Sequence, residues 1–307
     1  MFNLKMKHSI FIAILMLIIF IIPGFIYPME PYAVIDGLGV YKIGEGEPVF
    51  LMPYPHASTA ASIAESPLVD ILNSMNRSVI TFDPPGAYRS TRTPIVDMDE
   101  MLACTNETLD YFGIDSGIDL IGHSMSSFCA LAFSIEHRSR VRRLVLVGST
   151  TGWPAVSRWG VHKHWKWTQK KRWQIMYLGT RLFLGFGNLK THKKLDNLID
   201  YASYVDKKHV TEIEIETSDH KRPLPVRSKW KNYLRNEKAD YKDRLNLLEI
   251  PVLICVGRYD PQTPVVMSRE LRDGIKDSEL IVFDNSGHSP HIEEQDYFSR
   301  VVREFLE

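Results

Sequence analysis

The chain has 307 residues, enough for one large domain with an inserted smaller one, and its 37 basic and 37 acidic residues cancel. A formal net charge of zero removes the general argument for a nucleic-acid partner. The three cysteines, Cys104, Cys129 and Cys255, are widely spaced and lie in apolar segments, which excludes a disulfide framework or a CxxC redox or zinc site. We expect them to be buried free thiols.

The N-terminal region carries an uncharged run over residues 9–29, preceded by Lys5 and Lys7. As a helix, residues 10–27 would span about 27 Å, close to the ~30 Å hydrocarbon core of a bilayer. A cleaved signal peptide is the alternative, which would make the protein secreted, but no A-x-A-like cleavage site follows the run. We expect residues 1–29 to be a single-pass membrane anchor, with the lysines in the cytoplasm and the remainder of the chain outside it.

Short apolar strands alternate with helical patterns after residue 32. This alternation predicts an α/β fold with a mostly parallel sheet flanked by helices and with right-handed crossovers. Prolines in the segment 53–58 end the strand before it. The predicted elements are a hairpin at 33–43, strands at 49–52, 79–83, 118–121, 144–148, 252–257 and 280–283, and helices around 68–72, 98–111, 128–133 and 290–306.

The central motif is Gly-His-Ser-Met-Ser at 122–126, between an apolar strand and an apolar helix. This layout is typical of a nucleophile elbow, in which a sharp strand-to-helix turn exposes the serine beside a helix N-terminus. Ser126 stands where such turns usually have glycine, so we expect its small side chain to fit there. An ordinary N-cap serine is the competing interpretation of Ser124.

Two later loops supply the partners that a serine nucleophile requires. Asp260 follows the strand at 252–257, and His288 follows the strand at 280–283. Three such loops in the order serine, aspartate, histidine, each after an apolar strand, are hard to obtain by chance. We predict that Ser124, Asp260 and His288 form a catalytic triad.

One long interval without core strands differs in composition from the rest of the chain. It contains all six tryptophans, and residues 153–240 hold 19 lysines and arginines against 9 aspartates and glutamates. Its periodicity is helical. We therefore predict an inserted helical cap at 151–245, which divides the core domain into 30–150 and 246–307.

These motifs resemble those of the α/β-hydrolase superfamily, and more closely its proline-iminopeptidase-like branch. The resemblance covers nearly the whole chain after residue 32 except much of the cap, and it implies the α/β-hydrolase fold, a serine nucleophile, a histidine base, an orienting aspartate and no metal or organic cofactor. Tyr88 replaces the second glycine of a D-x-x-G-x-G-x-S loop. The matching segments are 82–90, 122–126, 257–260 and 287–291.

An oxyanion hole requires two backbone N–H donors. The residue after the nucleophile, Met125, is expected to supply one. Tyr54 is expected to supply the other, because the prolines on either side of it have no N–H, and Ala57 or Ser58 is the fallback if the loop is shifted.

The remaining histidines have subordinate expected roles. His123 is expected to support the strand end, and His291 to be a surface group or a supporting group rather than the base. His162 and His164 have no further ligands near them in the sequence, so we predict no zinc site.

Three hypotheses for function remain open. The first is a serine hydrolase that cleaves a carboxylic ester or amide bond of a small molecule through an acyl-enzyme. The second is a proline iminopeptidase, in which Glu212, Glu214 and Glu216 would bind the substrate amine, although this alternating cluster is more simply a solvated face. The third is a catalytically silent binding protein on the same scaffold. Residues 9–29 imply a membrane partner, no nucleic acid is expected, and the oligomeric state stays open.

Overall fold

The computed structural model describes residues 29–55, 63–93, 97–115, 117–160, 169–183, 189–209, 233 and 239–307. Pro31–Glu307 forms one compact unit, separate from Met1–Glu30. Apart from Met29, the predicted anchor lies outside the described residues, and among those residues no helix is long and apolar enough to cross a membrane.

Eight strands of the described chain form a single sheet. The strands are β1 Ala33–Ile35, β2 Leu38–Ile43, β3 Glu47–Leu51, β4 Arg77–Phe82, β5 Ile118–His123, β6 Val141–Val147, β7 Val252–Gly257 and β8 Ser278–Phe283. Their order across the sheet is β1-β2-β4-β3-β5-β6-β7-β8. β2 runs antiparallel to β1 and β4, and the other neighbouring pairs are parallel. The predicted α/β class with a mostly parallel sheet is therefore confirmed, while the N-terminal membrane helix stays a prediction.

Helices cover both faces of this sheet. The α-helices within the described residues are α1 Pro67–Ser74, α2 Met98–Tyr111, α3 Met125–Glu136, α4 Trp153–Trp159, α5 Gln169–Phe183, α6 Leu189–Ser203, α7 Val265–Gly274, α8 Pro290–Glu293 and α9 Gln295–Leu306. α2, α3 and α7 pack on one face, and α1 and α9 on the other. Because Leu120 of β5 faces the first layer and Ile121 the second, this strand is apolar on both sides.

Local sequence signals fix where several helices begin. Ser66 caps α1 through its side chain, and Pro67 occupies the first turn, where a missing N–H costs nothing. Asp97 caps α2, since its Oδ1 accepts the Glu100 N–H at 2.8 Å. The three cysteines are free and buried, as predicted.

Two strands begin earlier than the apolar runs indicate. β4 starts at Arg77 and β6 at Val141, so that arginines enter the sheet. Arg77 and Arg142 both pair with the buried carboxylate of Asp119 in β5, which satisfies their charge inside the structure. The uncharged runs of the sequence therefore predict strands that begin too late.

The predicted helix over 290–306 is wrong as a single element. It is two helices, α8 and α9, because Glu294 has a non-helical backbone (φ −127°, ψ 51°). The Glu294 side chain turns back and accepts hydrogen bonds from the Asn285 N–H at 2.9 Å and the Ser286 hydroxyl at 2.5 Å.

The helices α4, α5 and α6 lie between β6 and β7 in the chain, where the cap is predicted. The exact domain boundaries stay a prediction.

Candidate active site

Ser124 occupies a strained turn between β5 and α3. Its backbone lies at φ 57°, ψ −125°, a conformation that costs a non-glycine residue about 1–3 kcal/mol. Gly122 makes the turn possible, because a Cβ there would lie 2.5 Å from the Cα of Ser127. A serine in such a turn is raised clear of its neighbours, unlike a plain helix cap, and its side chain makes no capping bond.

Ser126 fits the third small position of this turn. It is fully buried, and its hydroxyl accepts the His123 N–H and donates to the His123 carbonyl, both at 2.9 Å. The hydroxyl thus closes the elbow with hydrogen bonds that a glycine would not provide.

Asp260 and His288 form a buried pair in the loops after β7 and β8. His288 Nδ1 lies 2.8 Å from Asp260 Oδ2, which also accepts the Thr263 hydroxyl at 2.7 Å. Asp260 Oδ1 accepts the N–H groups of Gln262 and Thr263. Burial alone would raise the pKa of Asp260, but the imidazole of His288 and these donors hold the pKa below its usual value. The aspartate is therefore an anion that fixes the proton of His288 on Nδ1.

The other ring nitrogen of His288, Nε2, is the one that could act as a base. Nε2 is buried and has no hydrogen-bond partner within the described structure. Gly148, at the end of β6, gives the ring room, since a Cβ there would lie 3.2 Å from His288 Cε1. The Ser124 N–H donates to the carbonyl of Val147 at 2.8 Å, so the serine and the imidazole both adjoin the end of β6. Because Nδ1 carries the proton, Nε2 is the nitrogen of His288 that can accept one.

Tyr54, His123 and His288 are joined in a chain of hydrogen bonds. His123 Nε2 lies 2.8 Å from the carbonyl oxygen of His288, which can only accept, so Nε2 carries the proton. His123 Nδ1 is then an acceptor and receives the Tyr54 hydroxyl at 2.5 Å. Burial, followed by the nearby His288, lowers the pKa of His123 to about 3, so this ring stays neutral at ordinary pH.

His291 is buried, so the surface alternative for it is wrong. Its ring packs 4.7 Å from that of His123 and 5.8 Å from that of Phe298. Burial, with His123 and His288 nearby, holds the pKa of His291 well below its usual value. It packs behind the site as a neutral ring.

Of the two expected oxyanion donors, Met125 lies in the elbow, and the side chain of Tyr54 contacts His123 of the elbow, while the role of both N–H groups stays a prediction. Met125 is the first residue of α3, in the turn whose N–H groups have no intrahelical acceptor. The Met52 N–H donates to the Ile121 carbonyl at 2.8 Å, which continues the pairing of β3 with β5 to two residues before Tyr54. The fallback donors Ala57 and Ser58 lie outside the described residues.

The segment between β6 and β7 that is predicted to be a cap contributes contacts that the sequence did not predict. The Ser203 carbonyl at the end of α6 accepts the His288 N–H at 2.8 Å, and the Ser203 hydroxyl accepts from Gln262. Glu293 accepts the N–H groups of Val205 at 2.6 Å and of Gly287 at 2.6 Å, so it joins the end of the cap helix to the histidine loop. No local signal could have found these pairs, because the partners are far apart in the sequence.

Tyr88 has an unusual backbone conformation at the second glycine position of the D-x-x-G-x-G-x-S loop. Both Gly86 (φ 71°) and Tyr88 (φ 47°) are left-handed, a conformation that favours glycine. Asp83 and Ser90 close the loop, since the Ser90 hydroxyl donates to the Asp83 carbonyl.

The described residues contain no group of three or more histidine, cysteine, aspartate or glutamate side chains that could hold a metal ion. His162, His164 and the glutamates Glu212, Glu214 and Glu216 lie outside that part of the chain.

Comparison with known proteins gives one consistent result. A family model described as "alpha/beta hydrolase fold" matches residues 60–295. A 2-hydroxy-6-oxononadienedioate/2-hydroxy-6-oxononatrienedioate hydrolase from Dechloromonas aromatica is 28% identical over 250 residues, 78% of this chain and 79% of that protein. A proline iminopeptidase from Saccharolobus solfataricus is 24% identical over 265 residues, with 78% and 79% covered. The crystal structure of a meta-cleavage product hydrolase from Pseudomonas fluorescens superposes with a TM-score of 0.66 at 21% identity, covering 88% of this chain and 93% of that one.

Proposed function

The chain belongs to the α/β-hydrolase family and is an enzyme of the hydrolase class, and on this premise we propose that it cleaves a carboxylic ester or amide with Ser124 as nucleophile. The observation that carries the proposal is the 2.8 Å bond from His288 Nδ1 to Asp260, with Nε2 buried and unpaired within the described structure. A histidine held in this tautomer is the base that a serine hydroxyl needs.

The proposed reaction has two halves. Ser124 Oγ attacks the substrate carbonyl carbon while His288 Nε2 takes the hydroxyl proton, and the carbonyl oxygen becomes an oxyanion held by the N–H groups of Met125 and Tyr54. The intermediate collapses, the bond to the leaving group breaks, and Nε2 returns the proton to that group. Water then releases the acid from Ser124 through the same base. Asp260 stays ionised throughout and stabilises the imidazolium.

Similarity to a named relative favours a second candidate function, the hydrolysis of a keto acid. A relative 28% identical over 78% of this chain is named for a 2-hydroxy-6-oxo dienedioate, whose ketone could accept the same nucleophile. The leaving group would then be a carbon atom, to which His288 Nε2 would deliver its proton. The proline iminopeptidase alternative rests on a 24% identical relative, and its candidate amine-binding glutamates lie outside the described residues.

One substrate panel tests these alternatives. Wild-type protein and Ser124→Ala would be assayed with a p-nitrophenyl ester, a prolyl anilide and a 2-hydroxy-6-oxo dienoate. We expect the ester to be hydrolysed and Ser124→Ala to be inactive on every substrate. Turnover of the anilide or dienoate alone would replace the ester proposal with the corresponding alternative, and equal rates for wild type and Ser124→Ala would refute the mechanism.

We also propose that residues 1–29 anchor the enzyme in a membrane with the hydrolase domain outside the cytoplasm. The support is the uncharged run at 9–29 and the lysines before it. Carbonate extraction of membranes, together with protease digestion of intact cells, would test both parts. Release of the full chain by carbonate would refute the anchor, and protection of the hydrolase domain from protease would refute the orientation.

A further inference from the structure

Helix α5 presents large apolar side chains to solvent. Trp173 is 66% exposed, Met176 52% and Tyr177 60%. Residues spaced three and four apart lie on one face of a helix, so these three side chains form a continuous stripe. Exposed apolar patches of this kind mark interaction surfaces.

Most of the stripe faces away from the neighbouring helix α6. Tyr177 and Leu178 of α5 line a cleft with Tyr201 of α6, so Tyr177 lies at the edge of the packed face of α5. With 3.6 residues in each turn, Trp173 lies about 140° around the helix from Leu178. Trp173 and Met176 are not among the residues that line this cleft.

Basic residues border the stripe on both sides. On the helix circumference Arg172 lies at one edge, and Lys170 and Arg181 lie at the other. The Arg181 guanidinium donates to the Tyr177 hydroxyl at 3.3 Å, so that charge is held beside the aromatic ring. α5 has four lysines and arginines and no acidic residue, within a cap region that carries a surplus of basic residues.

We propose that the exposed face of α5 docks on the surface of an anionic lipid bilayer. Tryptophan and tyrosine favour the boundary between hydrocarbon and water, where one end of the side chain is apolar and the other is wet. Cations at the edges of an apolar helix face bind lipid phosphates, and each contributes about fivefold to affinity for an anionic surface. A second copy of the chain is disfavoured as the binding partner, since it would bring together two sets of the three positive charges that border the stripe.

The test uses the fragment Pro31–Glu307, which is a compact unit containing the whole sheet and excludes the predicted anchor. Sedimentation with vesicles of phosphatidylcholine, with and without added phosphatidylglycerol, measures binding directly. We expect the fragment to bind only the anionic vesicles, and salt to weaken that binding. Failure to bind anionic vesicles would overturn the proposal whether or not the enzyme is active.

Matched variants locate the surface. Trp173→Ser should weaken vesicle binding about tenfold through lost apolar burial. Arg172→Glu changes two charge units and should weaken it about 25-fold. Tyr297→Ser and Arg300→Glu are the controls. They replace an aromatic and a basic side chain of the core helix α9, where Arg300 lies over the Tyr297 ring, and leave α5 unchanged.

Two outcomes of the variant series would overturn the proposal. One is that both α5 variants bind anionic vesicles as wild type does. The other is that the fragment is a dimer in solution which Trp173→Ser dissociates, because the stripe would then be an interface between two copies.

Discussion

Two buried aspartates lie at opposite ends of the parallel sheet and differ in their partners. Asp119, near the start of β5, faces Arg77 and Arg142, whereas Asp260, after the end of β7, faces His288. Arginine keeps its proton at any ordinary pH, so the Asp119 cluster is a fixed ionic group. Histidine can act as a general base and a general acid, so the second pair can take part in a reaction. The two carboxylates are similarly buried, so the residue paired with each one determines whether the carboxylate stabilises the fold or takes part in catalysis.

The largest expected effect comes from Asp260→Asn. The amide can no longer hold the His288 proton on Nδ1, so we expect kcat for ester hydrolysis to fall about 10⁴-fold, as it does when a triad aspartate is replaced in a serine protease. Urea unfolding should show only a small change in stability. A variant that keeps more than about a tenth of the wild-type kcat would contradict the assigned role of Asp260.

Asp119→Asn should have the opposite effects on stability and kcat. Removing the charge leaves Arg77, which is 7% exposed, with the half-exposed Glu47 at 3.5 Å as its remaining ion pair, and breaking a buried ion pair costs about 3–5 kcal/mol in the free energy of unfolding. The kcat per folded molecule should stay unchanged. Loss of activity without loss of stability would mean that the amino end of the sheet contributes to catalysis.

The buried histidines predict that acid destabilises the protein. The pKa of His123 is about 3 in the folded protein and about 6.5 in an unfolded chain, and His291 is shifted the same way. Below pH 6.5 the unfolded state therefore binds protons that the folded state does not, and each histidine lowers stability by about 1.4 kcal/mol per pH unit. Urea unfolding of wild type and His291→Phe between pH 7 and pH 4.5 should show a shallower loss in the variant. Parallel curves would refute this assignment.

Tyr54→Phe should have the smallest effect. It removes the hydroxyl bound to His123 but keeps the backbone N–H proposed for the oxyanion, so we expect kcat to fall by about fivefold with KM unchanged, and stability to fall by about 1 kcal/mol. The control is Tyr41→Phe, which removes a 2.6 Å hydrogen bond to Asp83 in the core. An equal loss of kcat in both variants would show that Tyr54 acts only through stability.

The sequence predicted the elements that depend on local pattern. Continuous apolar runs identified the second half of β6 and all of β7, and the elbow at Ser124 was recognisable because its small residues lie close together in the chain. The apolar surroundings of Cys255 likewise predicted a buried thiol.

The remaining features depend on contacts between distant residues. Tyr54 and His123 are 69 positions apart, so their hydrogen bond could not be predicted from spacing. The charge of Arg77 in its strand is paired with Asp119, 42 positions later, a contact that spacing could not predict. The contact of Ser203 with His288 likewise depends on how the cap helix meets the core.

The most direct test of the mechanism is labelling of the folded protein with a fluorophosphonate, followed by mass spectrometry of the modified peptide. We expect a single adduct on Ser124, strong slowing of labelling in Asp260→Asn and none in Ser124→Ala. Absence of labelling in folded wild-type protein, or an adduct on another serine, would contradict the assignment of Ser124 as the nucleophile.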